Sequence, residues 1–295
     1  LVNYCYQNMF RGCSSLNSIT CLATDISASN CTQNWVSGVS ESGVFTKANE
    51  MSGWTIDSVN GVPSGWTVQD ITLPYDKQYF TLVPISAAST FQFSNAGLSY
   101  SLDSGSTWTA LEASTDTPSV GVGDKIMFKG TITPTSTGIG TFSSSDKFDV
   151  EGNAMSLLYG DNFIGQTSLS GKDYALKSLF AYNKNIIKAE NMILPATTLA
   201  SYCYQYMFRF SSLKTAPKLL ATTLVSQCYN CMFQNCGGIN SITCLATDIS
   251  ASYCTSNWLQ NASSSGTFTK AASMTSWGSG GSGIPNNWTV LDYSE

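Results

Sequence analysis

The chain repeats itself, and that repeat limits the folds open to it more than any other feature. Residues 1–35 align without a gap on residues 224–258, with 24 identities in 35 positions and an offset of 223 residues. The match resumes in GVFTKANEM (43–51) against GTFTKAASM (266–274), in Trp54 against Trp277, and in GVPSGWTV (61–68) against GIPNNWTV (283–290). Residues 71–295 therefore read as one complete unit and residues 1–70 as the tail of a preceding one. With this comes the expectation that the chain is a segment of a longer tandem protein.

A shorter period lies inside the second copy. Leu199, Leu224 and Ile249 recur every 25 residues; Cys203, Cys228 and Cys254 every 25 or 26; Met207 and Met232 at 25, with Trp258 in the next equivalent place. A unit of that length cannot bury its apolar face alone, but stacked neighbours can, and 20–29 residues is the leucine-rich-repeat period. Leu199, Cys203 and Met207 fall at i, i+4 and i+8, which predicts a short helix in each coil with that stripe inward. Thr197 and Thr198 precede it as capping hydroxyls, and a short strand ends at Pro217, which cannot donate a ladder hydrogen bond. Segments 36–70 and 259–290 lose the leucine period and alternate as GxFTK and WTV. They predict β-hairpin caps, with Trp54, Trp66, Trp277 and Trp288 covering the last repeat.

Residues 71–152 change to period-2 alternation in FQF (91–93), LSYSL (98–102), VGVGDKIMFKGTI (120–132) and KFDV (147–150), separated by turn residues. Short strands with frequent turns indicate an antiparallel sandwich or barrel. The expected class is thus α+β, mainly β. Leucine-rich-repeat solenoid segments with β-hairpin caps (1–70 and 153–295) flank an antiparallel β-sandwich-like domain (71–152). Within it SLDSGSTW (101–108) is similar to the Asp-box hairpin turn of sialidases and other sugar-active β proteins, where that turn is structural. Asp103 is placed to bond turn amides, Gly105 to supply positive φ, and Trp108 to pack across the hairpin.

LPATTLASYCYQYMFRFSSLKTAP (194–217), LVNYCYQNMFRGCSSL (1–16) and LVSQCYNCMFQNCGGI (224–239) together resemble BspA-like leucine-rich repeats, common in surface proteins of gut Bacteroidales and in their phages. The resemblance covers about half of the chain. It implies a non-enzymatic binding or adhesion protein, extracellular or on a cell surface, with the virion surface of a phage as the alternative; a purely structural stalk or virion decoration is the rival function. Its partners would be a protein or glycan on a cell surface and, in a tandem array, neighbouring copies of itself.

Composition narrows the chemistry. The chain has no histidine, which removes Ser-His-Asp and Cys-His pairs and imidazole bases. A net charge of −5 argues against nucleic acid, because phosphate tracking needs clustered Lys and Arg. No apolar run reaches the length of a membrane span. Ten cysteines recur at shared repeat positions, as small buried hydrophobes do when each coil offers the same pocket. Cys203, Cys228 and Cys254 are accordingly read as reduced core residues, with some disulfides as the alternative. No cofactor or metal site is expected, since only Cys228 and Cys231 are spaced as a ligand pair. Asp146, Asp149 and Glu151 are the carboxylates that a glycoside hydrolase would need; on a strand they serve solubility. Tyr4, Tyr6, Tyr202 and Tyr204, flanking the inward stripe, are the candidate ligand contacts, since Tyr offers area and a polar tip at little entropy cost; packing between adjacent coils is the alternative reading of the same four.

Overall fold

A computed structural model describes residues 1–23, 25–48, 51, 53–71 and 73–294. The chain divides into two compact units, residues 1–74 with 101–108 and residues 75–100 with 109–295. It is mainly β, and its coils stack as in a β-solenoid.

In the first unit β1 (Ser18–Cys21), β2 (Gly43–Ala48) and β3 (Trp66–Ile71) form one sheet in that order. Both pairings are parallel, setting Ile19 beside Phe45 and Phe45 beside Val68. A hairpin would bring them antiparallel, so the hairpin cap expected for 36–70 is wrong. Each strand is reached by a full crossover, which is what parallel pairing requires, and the cap is one more coil of the stack. Ile19, Trp35, Phe45, Val62 and Trp66 form its core.

The second unit opens with β4 (Phe80–Pro84), β5 (Phe91–Phe93), β6 (Leu98–Ser101), β7 (Thr109–Leu111), β8 (Ile126–Gly130), β9 (Phe142–Ser144) and β10 (Phe148–Asn153). The predicted short strands are there. Strands β5 and β9 make a two-stranded antiparallel ribbon. Its Phe142 lies 5.5 Å from Phe80 and 5.1 Å from Phe128, and Phe91 lies 5.4 Å from Phe148, ring centre to ring centre. Strand β10 pairs antiparallel with β4 and, on its other edge, parallel with β11 (Ile186–Ile193). The sheet order β11-β10-β4-β8-β6-β7 is therefore mixed. One apolar core runs from Phe80 through the coils to Trp288.

Beyond β11 the parallel ladder thins to single bridges. Thr215 joins Lys188 to Ser241, and Leu219 joins Leu194 to Cys244. The predicted strand before Pro217 shrinks to these two contacts, because proline between them has no N–H to give. The ladder regains length in β12 (Ser241–Cys244), β13 (Gly266–Lys270) and β14 (Trp288–Asp292), again parallel, so 259–290 is also not a hairpin. Gly266 is tightly enclosed: a Cβ there would lie 2.5 Å from the Asn240 carbonyl oxygen and 2.8 Å from the Trp288 ring.

The stripe Leu199, Cys203, Met207 is buried as read, but it is not helical. Residues 201–210 form successive turns. Met207 N–H donates to the Tyr204 carbonyl, closing an i to i−3 turn, while Tyr206 N–H donates to the Asn230 carbonyl of the next coil. The alternation holds along the run, half of the amides closing local turns and half laddering across. Tyr202, Tyr206 and Phe210 have φ of 61, 59 and 58°. A positive φ at every fourth residue suits the third position of a type II turn and breaks any α-helix. Thr197 is correspondingly no cap; its N–H donates to the Thr167 carbonyl. Among the described residues the one α-helix is α1 (Ser156–Tyr159).

Candidate functional site

Positive-φ residues form three columns along the coils, exposed or half-buried except at Cys231, because the same turn recurs in each coil. In the second unit they read Tyr174, Tyr202, Gln227, Tyr253; Ser178, Tyr206, Cys231, Asn257; and Tyr182, Phe210, Asn235, Asn261. In the first unit they are Tyr4 and Asn30, Asn8 and Asn34, Gly12 and Gly38. Asn and Gly are the residues that tolerate left-handed backbone, whereas a bulky side chain there costs roughly 1–2 kcal/mol. Runs 172–183 and 200–211 break that rule with five aromatics in six places. Their rings lie on the turn surface, where Tyr182 is 61% exposed.

These aromatics form an ordered ridge with two cations. Tyr174 stacks on Tyr202 at 4.6 Å and Tyr182 on Phe210 at 5.0 Å. Lys177 Nζ lies 5.0 Å from the Tyr174 ring centre and 5.8 Å from that of Tyr206. Arg209 lies 5.0 Å from Tyr206 and 4.9 Å from Phe210. Amides continue the ridge across the coils. Arg209 Nε donates to Gln234 (2.7 Å), and Gln234 donates to Gln260 (2.6 Å). Gln227 donates to the Tyr202 hydroxyl (2.8 Å), and Gln205 donates to Gln227 and Asn230. Fixed rings, cation heads and a row of amides make a surface suited to recognition, with no nucleophile and base set against each other.

Of the four tyrosines read from sequence, only Tyr202 joins this ridge. Tyr204 was placed on a flank by the helical reading, but it is 1% exposed and stacks on Tyr229 inside the core at 5.9 Å. The four-residue turn buries residues in adjacent pairs, here Cys203 with Tyr204 and Met207 with Phe208. Tyr6 stacks on Trp35 at 6.1 Å; Tyr4 is exposed and occupies a positive-φ place. Sequence reading missed Tyr174, Lys177, Tyr182, Tyr206, Arg209 and Phe210. The available signal was Asn or Gly at intervals of four, as in Asn30-Asn34-Gly38 and Asn257-Asn261, with aromatics in the equivalent places elsewhere.

The carboxylates do not assemble a site. Glu151 pairs with Lys125. Asp146 accepts from the Ser86 hydroxyl and the Lys147 amide, which hold its carboxyl below the usual range. Burial pushes Asp149 above that range despite Lys188 nearby. In the Asp-box turn Asp103 accepts from the Thr107 amide and hydroxyl and from Ser101. Burial raises its carboxyl, but these bonds outweigh that and leave it lowered. Gly105 has φ of 89°, and the Trp108 indole donates to the Gly105 carbonyl.

The cap tryptophans repeat in both copies. Trp54 stacks on Trp35 at 5.0 Å, and Trp277 on Trp258 at 5.4 Å. Trp66 and Trp288 donate to the carbonyls of Ser40 and Ser263.

Cys203 and Cys228 are fully buried and Cys254 nearly so, all three free thiols. Cys254 Sγ donates to the Ile249 carbonyl at 3.2 Å and its counterpart Cys31 to Ile26 at 3.0 Å, which explains why thiols recur at that place. Burial pushes Cys228 and Cys244 up to about 12. Thiolate is the reactive form, so alkylation of the folded protein at pH 8 is expected to label exposed Cys13 first and to spare Cys203, Cys228 and Cys244 until denaturant is added. Peptide mass spectrometry reads this directly. Rapid native labelling of Cys228 would contradict the packing.

Among the described residues no three His, Cys, Asp or Glu side chains converge as metal ligands, and no helix is long and apolar enough to cross a membrane. Comparison with family models, curated proteins and solved structures found no match.

Proposed function

We propose that this chain is a non-enzymatic binding or adhesion segment of an extended tandem-repeat protein, displayed on a cell or virion surface. Its coils are leucine-rich repeats of the BspA-like kind and its 71–152 segment is a sandwich-like insert. The ridge of runs 172–183 and 200–211 is the binding face. One observation carries this reading: Tyr182 and Phe210 occupy strained positive-φ places where the following coils use Asn235 and Asn261. Strain kept where Asn serves the same turn in the next coil points to function.

The test is capture of the purified chain on an array of glycans and extracellular proteins, repeated with Tyr202→Ala and Tyr206→Ala. Saturable capture that each substitution weakens supports a binding face. A purely structural stalk is the rival, and the tryptophan cap repeated in both copies favours it. Absence of capture across the array, or capture indifferent to both changes, would leave the stalk.

A further inference from the structure

Charge is unevenly spread along this chain. Residues 172–218 hold seven of the fourteen Lys and Arg but only two of the nineteen acids, a local +5 within a chain of net −5. Elsewhere Lys47, Lys125, Lys129 and Lys270 each pair with a carboxylate. Among the described residues none of the seven cations of 172–218 does so. Several lie over aromatic rings instead: Lys172 over Tyr159, Lys177 over Tyr174, Arg209 over Phe210 and Lys218 over Tyr293. Unneutralised cations held in place on an otherwise acidic protein attract an anionic partner.

We infer that the ridge binds an acidic polysaccharide, its carboxylates received by Lys177 and Arg209 and its hydroxyls by the exposed Tyr182 and the half-buried Asn230. This rests on the binding reading above and names the ligand class for the same face. Sequence-tolerant nucleic-acid binding needs free ring faces for bases. Here the faces of Tyr174, Tyr202 and Phe210 are taken by neighbouring rings, and those of Tyr174 and Tyr206 by cations. What remains open is ring edges, hydroxyls and positive charge. Because the coils stack in a parallel ladder, the rings recur from coil to coil, Tyr174 with Tyr202 and Tyr182 with Phe210, and Lys177 and Arg209 stand on adjacent coils among them, which matches a polymer of repeating sugar units. Arg adds a planar fork for carboxylate.

The experiment is affinity electrophoresis of the whole chain through gels containing polygalacturonate, neutral dextran or oligo(dT), at low and moderate salt, with Lys177→Gln and Arg209→Gln alongside. Urea unfolding of each variant confirms the fold. The expected result is retardation by polygalacturonate that weakens with salt, no retardation by dextran, and roughly tenfold weaker binding for each variant, the usual worth of a charge-assisted hydrogen bond. Equal retardation by dextran would overturn the anionic assignment, and stronger retardation by oligo(dT) would overturn the polysaccharide. Indifference to polygalacturonate while array capture still depends on Tyr206 would overturn this inference and leave the binding face standing. Array capture lost altogether would overturn both.

Discussion

Replacing Tyr182, Tyr206 and Phe210 together by Asn is expected to abolish ligand capture while moving the unfolding midpoint by only a few degrees. The opposing terms are close in size. Each replacement relieves a bulky left-handed residue, worth about 1–2 kcal/mol. Against a combined relief of about 3–6 kcal/mol, the Tyr182–Phe210 stack at 5.0 Å contributes about 0.5–1.5 kcal/mol, the contacts of Lys177 and Arg209 with these three rings about 0.5–1 kcal/mol each, and the covered ring area about 1 kcal/mol more. The remainder is on the order of 1 kcal/mol in either direction, or about 2–4 °C for a unit of this size. The protein already contains the product: Asn235 and Asn261 fill the same column with φ of 60 and 59°, and the Asn261 amide donates to Asn235 at 2.7 Å. Thermal unfolding and array binding of one preparation decide the matter. A midpoint lowered by ten degrees or more would mean that the rings are structural, and the case for a binding ridge would fall.

That contrast also explains what could be read in advance. The 25-residue spacing of Leu199, Cys203 and Met207 with Leu224, Cys228 and Met232 revealed stacking, because burial in a solenoid depends on which residues recur and hardly on the backbone between them. The inward stripe was right for the same reason. The helix was not, because spacings of four and of 3.6 differ little over eight residues; only Asn or Gly at every fourth place separates a run of turns from a helix. Once the run is a helix on paper, Tyr204 lands on a flank, whereas in the turn geometry it is buried beside Cys203. The caps failed differently. GTFTK and WTV do form strands, but alternation within a strand says nothing about the direction of its partner. The 101–108 turn was legible because the bonds of Asp103 to Ser101 and Thr107 and of the Trp108 indole to Gly105 are local. The ridge cations were hidden by the global charge of −5, which masks a local excess of the opposite sign.

Truncating Trp258 to Ala is expected to cause the largest loss of stability of any single change in the coils. Its indole is fully buried, stacks between Tyr229 (6.1 Å) and Trp277 (5.4 Å), and meets Phe268 edge-on at 5.9 Å. Removing a buried Trp costs about 3–5 kcal/mol, and the Gly283 carbonyl, which accepts the indole N–H at 2.8 Å, adds about 1 kcal/mol or more when orphaned. Trp258→Phe keeps the stack but not the hydrogen bond and should lose less than half as much. Where the loss falls is the sharper question. In a stack whose coils touch only their neighbours, the terminal coil unfolds first, so limited proteolysis of Trp258→Ala should cut between 259 and 294 before any site in 172–217. But Trp258 belongs to the core that reaches Phe80, and β10 ties the first coils to the antiparallel strands. If that continuity makes the unit cooperative, cuts would appear everywhere at once and a single urea transition would shift as a whole. Early cuts confined to the cap would instead identify it as a separate layer of stability, and the ridge would keep its ligand after the cap had frayed.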